Sequence, residues 1–145
     1  MSLTVYIGSD HGGFNLKATV IEHLQNKGAT VVDLGPVDTC STDYPVYAEK
    51  VCREVIDNAG LGILICGSGI GMSMAANRFK NIRAALCTSE FHARMSRRHN
   101  NANILCMGER ITGVDHALSI VDTFFESEFE GGRHARRIDL FDHFA

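Results

Sequence analysis

No stretch of this chain approaches the roughly 18 consecutive apolar residues that a membrane span requires, and its opening, Met1-Ser2-Leu3-Thr4, lacks a signal-peptide pattern. A cytosolic location is expected, with no membrane partner. A basic excess is missing as well: 14 Lys and Arg stand against 17 Asp and Glu, a net charge of −3. That balance leaves no electrostatic footprint for nucleic acid. The five cysteines, Cys40, Cys52, Cys66, Cys87 and Cys106, are odd in number and include no Cys-x-x-Cys, which argues against a disulfide framework and a structural zinc site. His23, His92, His116, His134 and His143 show no His-Glu-x-x-His or comparable ligand spacing, so no metal is expected. Internal repeats, low-complexity tracts and interdomain linkers are also lacking, and 145 residues suit a single domain with a real core. There are only two prolines, and both sit at boundaries: Pro36 breaks a strand, and Pro45 stands in the first turn of a helix.

What remains is a regular alternation. Short, almost continuously apolar runs read as strands at Thr4–Ser9, Thr30–Leu34, Gly62–Cys66, Arg83–Cys87 and Asn103–Gly108. Helical spacing falls between them, over Phe14–Lys27, Val46–Asn58, the stretch from the glycine turn to Phe79, Glu90–His99 and Val114–Phe125. A tail from about 131 to 145 also reads as helical, and the whole chain as one domain. Strands apolar on both faces and separated by helices are the signature of a covered parallel sheet, here a three-layer α/β/α sandwich. Ligands in such sheets bind beyond the carboxyl ends of the strands. Polar chemistry is concentrated there after the first strand (Asp10-His11) and the third (Cys66 to Gly71).

The third strand runs into Cys66-Gly67-Ser68-Gly69-Ile70-Gly71, with an Ala/Met-rich helix behind it. Such a turn aims backbone N–H groups at an open helix N-terminus, where anions bind. A thiol at that threshold suggests acid–base or nucleophilic work beside an oxyanion or phosphate. A dinucleotide fingerprint needs glycine at the sixth position, where Met72 stands. Cys52, Cys87 and Cys106 lie in helix- or strand-like apolar surroundings and read as core packing. The Arg94, Arg97 and Arg98 group reads as a solvated helix face or a subunit contact.

Several pieces, in order along the chain, resemble the type B ribose-5-phosphate isomerase family with its allose- and galactose-phosphate relatives. They are Ser9-Asp10-His11-Gly12-Gly13-Phe14, Thr42-Asp43-Tyr44-Pro45, Ile65 to Gly71, Ala75-Ala76-Asn77, Arg98-His99-Asn100 and Gly131-Gly132-Arg133-His134. The resemblance implies a Rossmann-like five-stranded parallel sheet, no metal or organic cofactor, and a homodimer with shared sites, extending to a dimer of dimers in some arrangements. It implies aldose–ketose isomerisation of ribose 5-phosphate and ribulose 5-phosphate, with a six-carbon sugar phosphate as the alternative substrate. A non-catalytic sugar-phosphate or nucleotide binder is the alternative outside the enzyme class.

By the same resemblance Cys66 is the base, His99 opens the furanose ring and Asn100 helps hold the oxyanion. Gly67, Gly69 and Gly71 bring amides to the enediolate, and Ser68 exchanges its proton between oxygens. Asp10 contacts the sugar or assists ring opening, His11 helps bind phosphate, and Tyr44 lines the pocket. Asp10 also reads as a helix N-cap, and Tyr44 as a staple beside Pro45. Where another branch of the family has a carboxylate this chain has Met72, which cannot accept a proton. Arg133 and Arg137, four apart, share a helix face and form a phosphate clamp, with Arg110 as a third candidate. The alternative for these arginines is a solvated basic tail.

Geometry adds a constraint. Eleven helical residues carry His99 about 16 Å back from the strand ends that hold Cys66. If both act on one substrate, a second chain supplies His99.

Overall fold

Each central strand alternates its side chains between two apolar layers, so a continuous apolar run is what burial on both faces requires. A computed structural model describes residues 3–144. Its strands are β1 (Thr4–Ser9), β2 (Thr30–Asp33), β3 (Leu61–Cys66), β4 (Ala84–Leu86) and β5 (Ile104–Gly108). All pair in parallel in the order β2-β1-β3-β5-β4. The helices are α1 (Phe14–Asn26), α2 (Tyr44–Asn58), α3 (Ile70–Ala76), α4 (Glu90–Asn100), α5 (Val114–Glu126) and α6 (Arg133–Asp139), with 3-10 turns at His11–Gly13 and Leu140–His143. Among the described residues no helix is long and apolar enough to cross a membrane.

The period of two is visible in β3. Ile63 and Ile65 join Leu16, Val20, Leu105, Ile120 and Phe124 under α1 and α5. Leu64 and Cys66 face the other way, with Val51, Val55, Met72 and Cys106, under α2 and α3. The chain leaves β1 toward β2 and then crosses back to β3 on the other side, so the order of strand addition reverses between the adjacent strands β1 and β3. A crevice opens beyond the carboxyl ends at such a point.

The helix ends follow local chemistry. Ser89 caps α4, its hydroxyl accepting the His92 N–H at 3.2 Å. The second helix begins at Tyr44, two residues before the expected Val46, because Pro45 fits its first turn. The third stops at Ala76 rather than Phe79. Asn77 caps it and turns its amide onto β4, donating to the Ala84 carbonyl at 2.9 Å and accepting the Ala84 N–H at 2.8 Å.

Arg97 departs from the reading of a solvated face or subunit contact. Its guanidinium is half-buried within its own chain, over the Phe124 ring and donating to the Ala102 carbonyl at 2.5 Å.

Lys17 is buried in α1, only 2% exposed, and donates to Asp33 Oδ1 at 2.7 Å and the Pro36 carbonyl at 2.8 Å. These bonds tie the loop after β2 to α1. Removing Asp33 leaves a buried cation short of a partner, so Asp33→Ala should cost about 3 kcal/mol in urea unfolding. Lys17→Met, which removes the charge and keeps the stem, should cost less. The reverse ranking would show that the pair does not govern this packing.

Candidate active site

Three loops meet at the carboxyl edge of the sheet, and backbone hydrogen bonds hold them together. The Asp10 N–H donates to the Ile65 carbonyl at 3.2 Å, the Glu109 N–H to the Cys66 carbonyl at 2.9 Å, and the Arg110 N–H to the Gly67 carbonyl at 3.0 Å. Two glycines allow the fit. Gly69 has φ +79°, and a Cβ there would lie 2.5 Å from Leu86 Cδ1. A Cβ on Gly108 would lie 2.5 Å from the Ser68 carbonyl carbon. Real Cβ atoms do not approach so closely, so any side chain would push the turn off β5.

Cys66 ends β3 and is 6% exposed. Its Sγ accepts the Gly69 N–H at 3.2 Å, so the turn presents a donor to the sulfur from the start of α3. Ser68 Oγ accepts the Ile70 N–H at 3.2 Å, an ST-type cap on the same helix. Tyr44 stands over Gly71, where a Cβ would be 2.7 Å from the ring. On the other side the Arg110 guanidinium lies over Gly67, Nη1 at 3.4 Å from a Cβ built there. His11 Nδ1 accepts the Thr42 N–H at 3.2 Å, so the loop before α2 orients this imidazole. Asp10 is buried and accepts the Gly12 N–H at 2.8 Å. It caps the His11–Gly13 turn rather than the helix itself: α1 begins after Gly13, an N-cap residue without a side-chain bond.

The thiols differ in environment. Burial pushes the Cys52 thiol up to about 12 and that of Cys87 to about 11. Burial also raises Cys106 well above its ordinary value. Cys40 is exposed, and a hydrogen bond with Asp38 raises it too. Cys66 stands apart at the carboxyl end of β3, with an amide donor on its sulfur.

The other predicted residues lie at the opposite edge. After α4 the chain enters β5 through Asn103, whose N–H bonds the Arg83 carbonyl at the start of β4 (2.9 Å). Cys66 pairs with Gly108 at the far end of β5. Five strand steps separate those levels by about 17 Å, in agreement with the helix estimate. His99 and Asn100 therefore stand away from Cys66 in their own chain. Arg133 and Arg137 are both exposed on α6, which packs against α4 and joins them to that second group. Asn100 borders a cavity of about 860 Å³ lined by Arg78, Ala84 and Phe141 among others; Cys66 is not part of its wall.

The sequence profile of the Ribose/Galactose Isomerase family matches residues 5–141. The chain is 43% identical to Escherichia coli ribose-5-phosphate isomerase B over 93% of its own length and 91% of the relative's. The chain belongs to the ribose/galactose isomerase family. Two solved structures of that family superpose closely. Clostridium thermocellum ribose-5-phosphate isomerase B gives a TM-score of 0.96 at 48% identity, covering 97% of this chain and 96% of the other. The Mycoplasma genitalium enzyme, solved with bound ribulose 5-phosphate, gives 0.95 at 46% identity, covering 99% and 97%. The parallel five-stranded α/β/α sandwich expected from the sequence is therefore the family's fold.

The sequence reading gave no role to three residues of this family member. Glu109 Oε1 accepts the Leu16 N–H at 2.6 Å, capping the open start of α1 from the loop after β5. Its only sequence signal is an acid just past a strand end. Glu130 and His134 gather around His99. The His99 and His134 rings stack with centroids 4.1 Å apart and planes 11° apart. Burial opposes charge on Glu130, but a hydrogen bond and the charge of Arg98, then His99 and His134, bring its carboxyl below the usual range. His134 is lowered by burial first, then by His99 and Arg133.

Proposed function

We propose that this family member interconverts D-ribose 5-phosphate and D-ribulose 5-phosphate through an enediolate, with Cys66 as the base. The observation that carries the reading is the Cys66 sulfur at the carboxyl end of β3, hydrogen-bonded to the Gly69 N–H at 3.2 Å where α3 begins. In the aldose-to-ketose direction the thiolate takes the proton from C2, the C1 carbonyl becomes the enediolate oxyanion, and the thiol returns the proton to C1. Amides of the 67–71 turn stabilise the developing charge. The Ser68 hydroxyl exchanges the proton between O1 and O2, and Asp10 and Tyr44 shape the sugar pocket.

A homodimer completes the site. His99 of a second copy opens the ring, and its Asn100 holds the oxyanion. The second copy's Arg133 and Arg137 bind the phosphate together with this chain's Arg110 and His11. The dimer is favoured by the wide separation of the two residue groups within one chain. It is also favoured by the apolar side chains exposed beside the glycine turn, Val46, Ile70 and Met74. Five unpaired thiols fit a reducing compartment, and the cytosol is the proposed location.

Ribose 5-phosphate and allose 6-phosphate assayed side by side test the substrate. The expected result is turnover of the five-carbon sugar with kcat/KM higher by about tenfold or more, the scale on which one carbon is discriminated. Preference for allose 6-phosphate would move the assignment to six-carbon sugars. Saturable binding of both without turnover would replace the enzyme with a sensor.

A further inference from the structure

At the edge of the sheet away from Cys66, three side chains from two elements and a loop converge. His99 is in the last turn of α4, Glu130 precedes α6, and His134 is in the first turn of α6. Their donor atoms lie within 4.8 Å of one another. His99 Nε2 is 3.8 Å and His134 Nε2 3.6 Å from the same oxygen, Glu130 Oε1. Glu130 is anchored twice: its N–H donates to the Arg98 carbonyl at 3.0 Å, and Arg98 Nε donates to Oε2 at 2.5 Å. The second oxygen is thus engaged, and Oε1 faces the two rings. His134 is only 8% exposed, and its Nε2 is buried with no hydrogen-bond partner. Leaving a buried polar atom without a partner is costly, and a ligand at this point would supply one.

We infer that His99, Glu130 and His134 form a binding site for a zinc-class divalent cation, and that filling it withdraws His99 from ring opening. Two imidazoles and a carboxylate with a fourth position open are a donor set that zinc accepts. Donors about 2.1 Å from a tetrahedral ion are about 3.4 Å from each other, so the distances to Glu130 Oε1, 3.8 and 3.6 Å, need contract only by a few tenths of an ångström, and the two imidazole donors, within 4.8 Å of each other, close by the movement of one ring. Arg98 on the second carboxylate oxygen supplies the outer hydrogen bond that such ligands carry. A cation between stacked rings lies off both ring planes, so one ring must tilt. His99, with 38% of its side chain exposed, has the freedom to do so, and His134 is held. Helix spacing alone does not reveal the group, because its histidines come from separate elements. The inhibitory effect rests on the proposed role of His99; the cation site does not.

The test titrates zinc chloride calorimetrically into the full chain, with cobalt as the spectroscopic probe. The proteins are wild type, Cys66→Ala, Glu130→Gln and His134→Phe, the last keeping a stacked ring without its nitrogen. One zinc per chain is expected in wild type and in Cys66→Ala. The cobalt spectrum should show four-coordinate nitrogen and oxygen ligation without thiolate charge transfer. Glu130→Gln and His134→Phe should each weaken binding by more than the roughly 10–100-fold that a change outside the ligand shell costs. Zinc should slow wild-type isomerisation, and Glu130→Gln, active without metal, should escape that inhibition. Undiminished binding in either ligand variant, thiolate charge transfer that disappears with Cys66, or no heat at stoichiometric zinc would overturn the site. Zinc bound here with isomerisation unchanged would keep the site and overturn the role given to His99.

Discussion

Replacing Cys66 by alanine should lower kcat by about 10²–10⁴-fold, the range that one positioned proton-transfer group contributes, with little change in KM. In the proposed reaction the sulfur is the proton acceptor, at the carboxyl end of β3 with the Gly69 N–H on it. The neighbouring Met72 is fully buried and has no basic atom. The other thiols are either raised by burial, as in Cys52 and Cys87, or set on a loop outside the glycine turn, as in Cys40. Cys66→Ser should fall almost as far: a hydroxyl can take over the hydrogen bond from Gly69 N–H but is a far weaker base. Solvent-deuterium incorporation at C1 separates proton transfer from ring opening, and it should cease in both variants while phosphate binding persists. Activity within tenfold of wild type in Cys66→Ala would remove the thiol from the chemistry.

Two inactive variants should restore each other. If each site takes Cys66 from one chain and His99 from another, Cys66→Ala and His99→Ala homodimers are both impaired at every site. A mixed dimer has one site carrying both changes and one carrying neither. Random reassortment in a two-fold dimer then returns roughly a quarter of wild-type sites. Mixing the variants under mild dissociating conditions, followed by refolding and assay, measures this. Mixtures no more active than their components would show that both residues serve one site within one chain. The separation of about 17 Å along β5 argues against that outcome.

The strands were legible because each is an apolar run bounded by glycine, proline or polar residues; the expected limits differ from those seen by a residue or so at Thr30–Asp33 and Ala84–Leu86. The residues after β1 and β3 were readable as neighbours because a parallel sheet brings successive strand ends to one edge. Helix pitch was enough to separate His99 from Cys66. Contacts that cross the molecule left no local trace. Nothing in the sequence around Glu109 says that it caps a helix 93 residues away in sequence. Nothing around Arg97 says that its guanidinium folds inward over Phe124. Asp10 shows the opposite limit: one carboxylate fits both a cap and a ligand by sequence, and the bond it accepts from the Gly12 N–H is visible only in the structure.

The Asn77 amide on β4 has a consequence for how these molecules avoid sticking together. The β4 strand is only three residues long and lies at the margin of the sheet, where unpaired N–H and C=O groups invite a strand from another molecule. Asn77 binds both backbone groups of Ala84, as an adjoining strand would. One side chain thus closes the template at that point, and growth of the sheet into an aggregate is blocked there without a further strand.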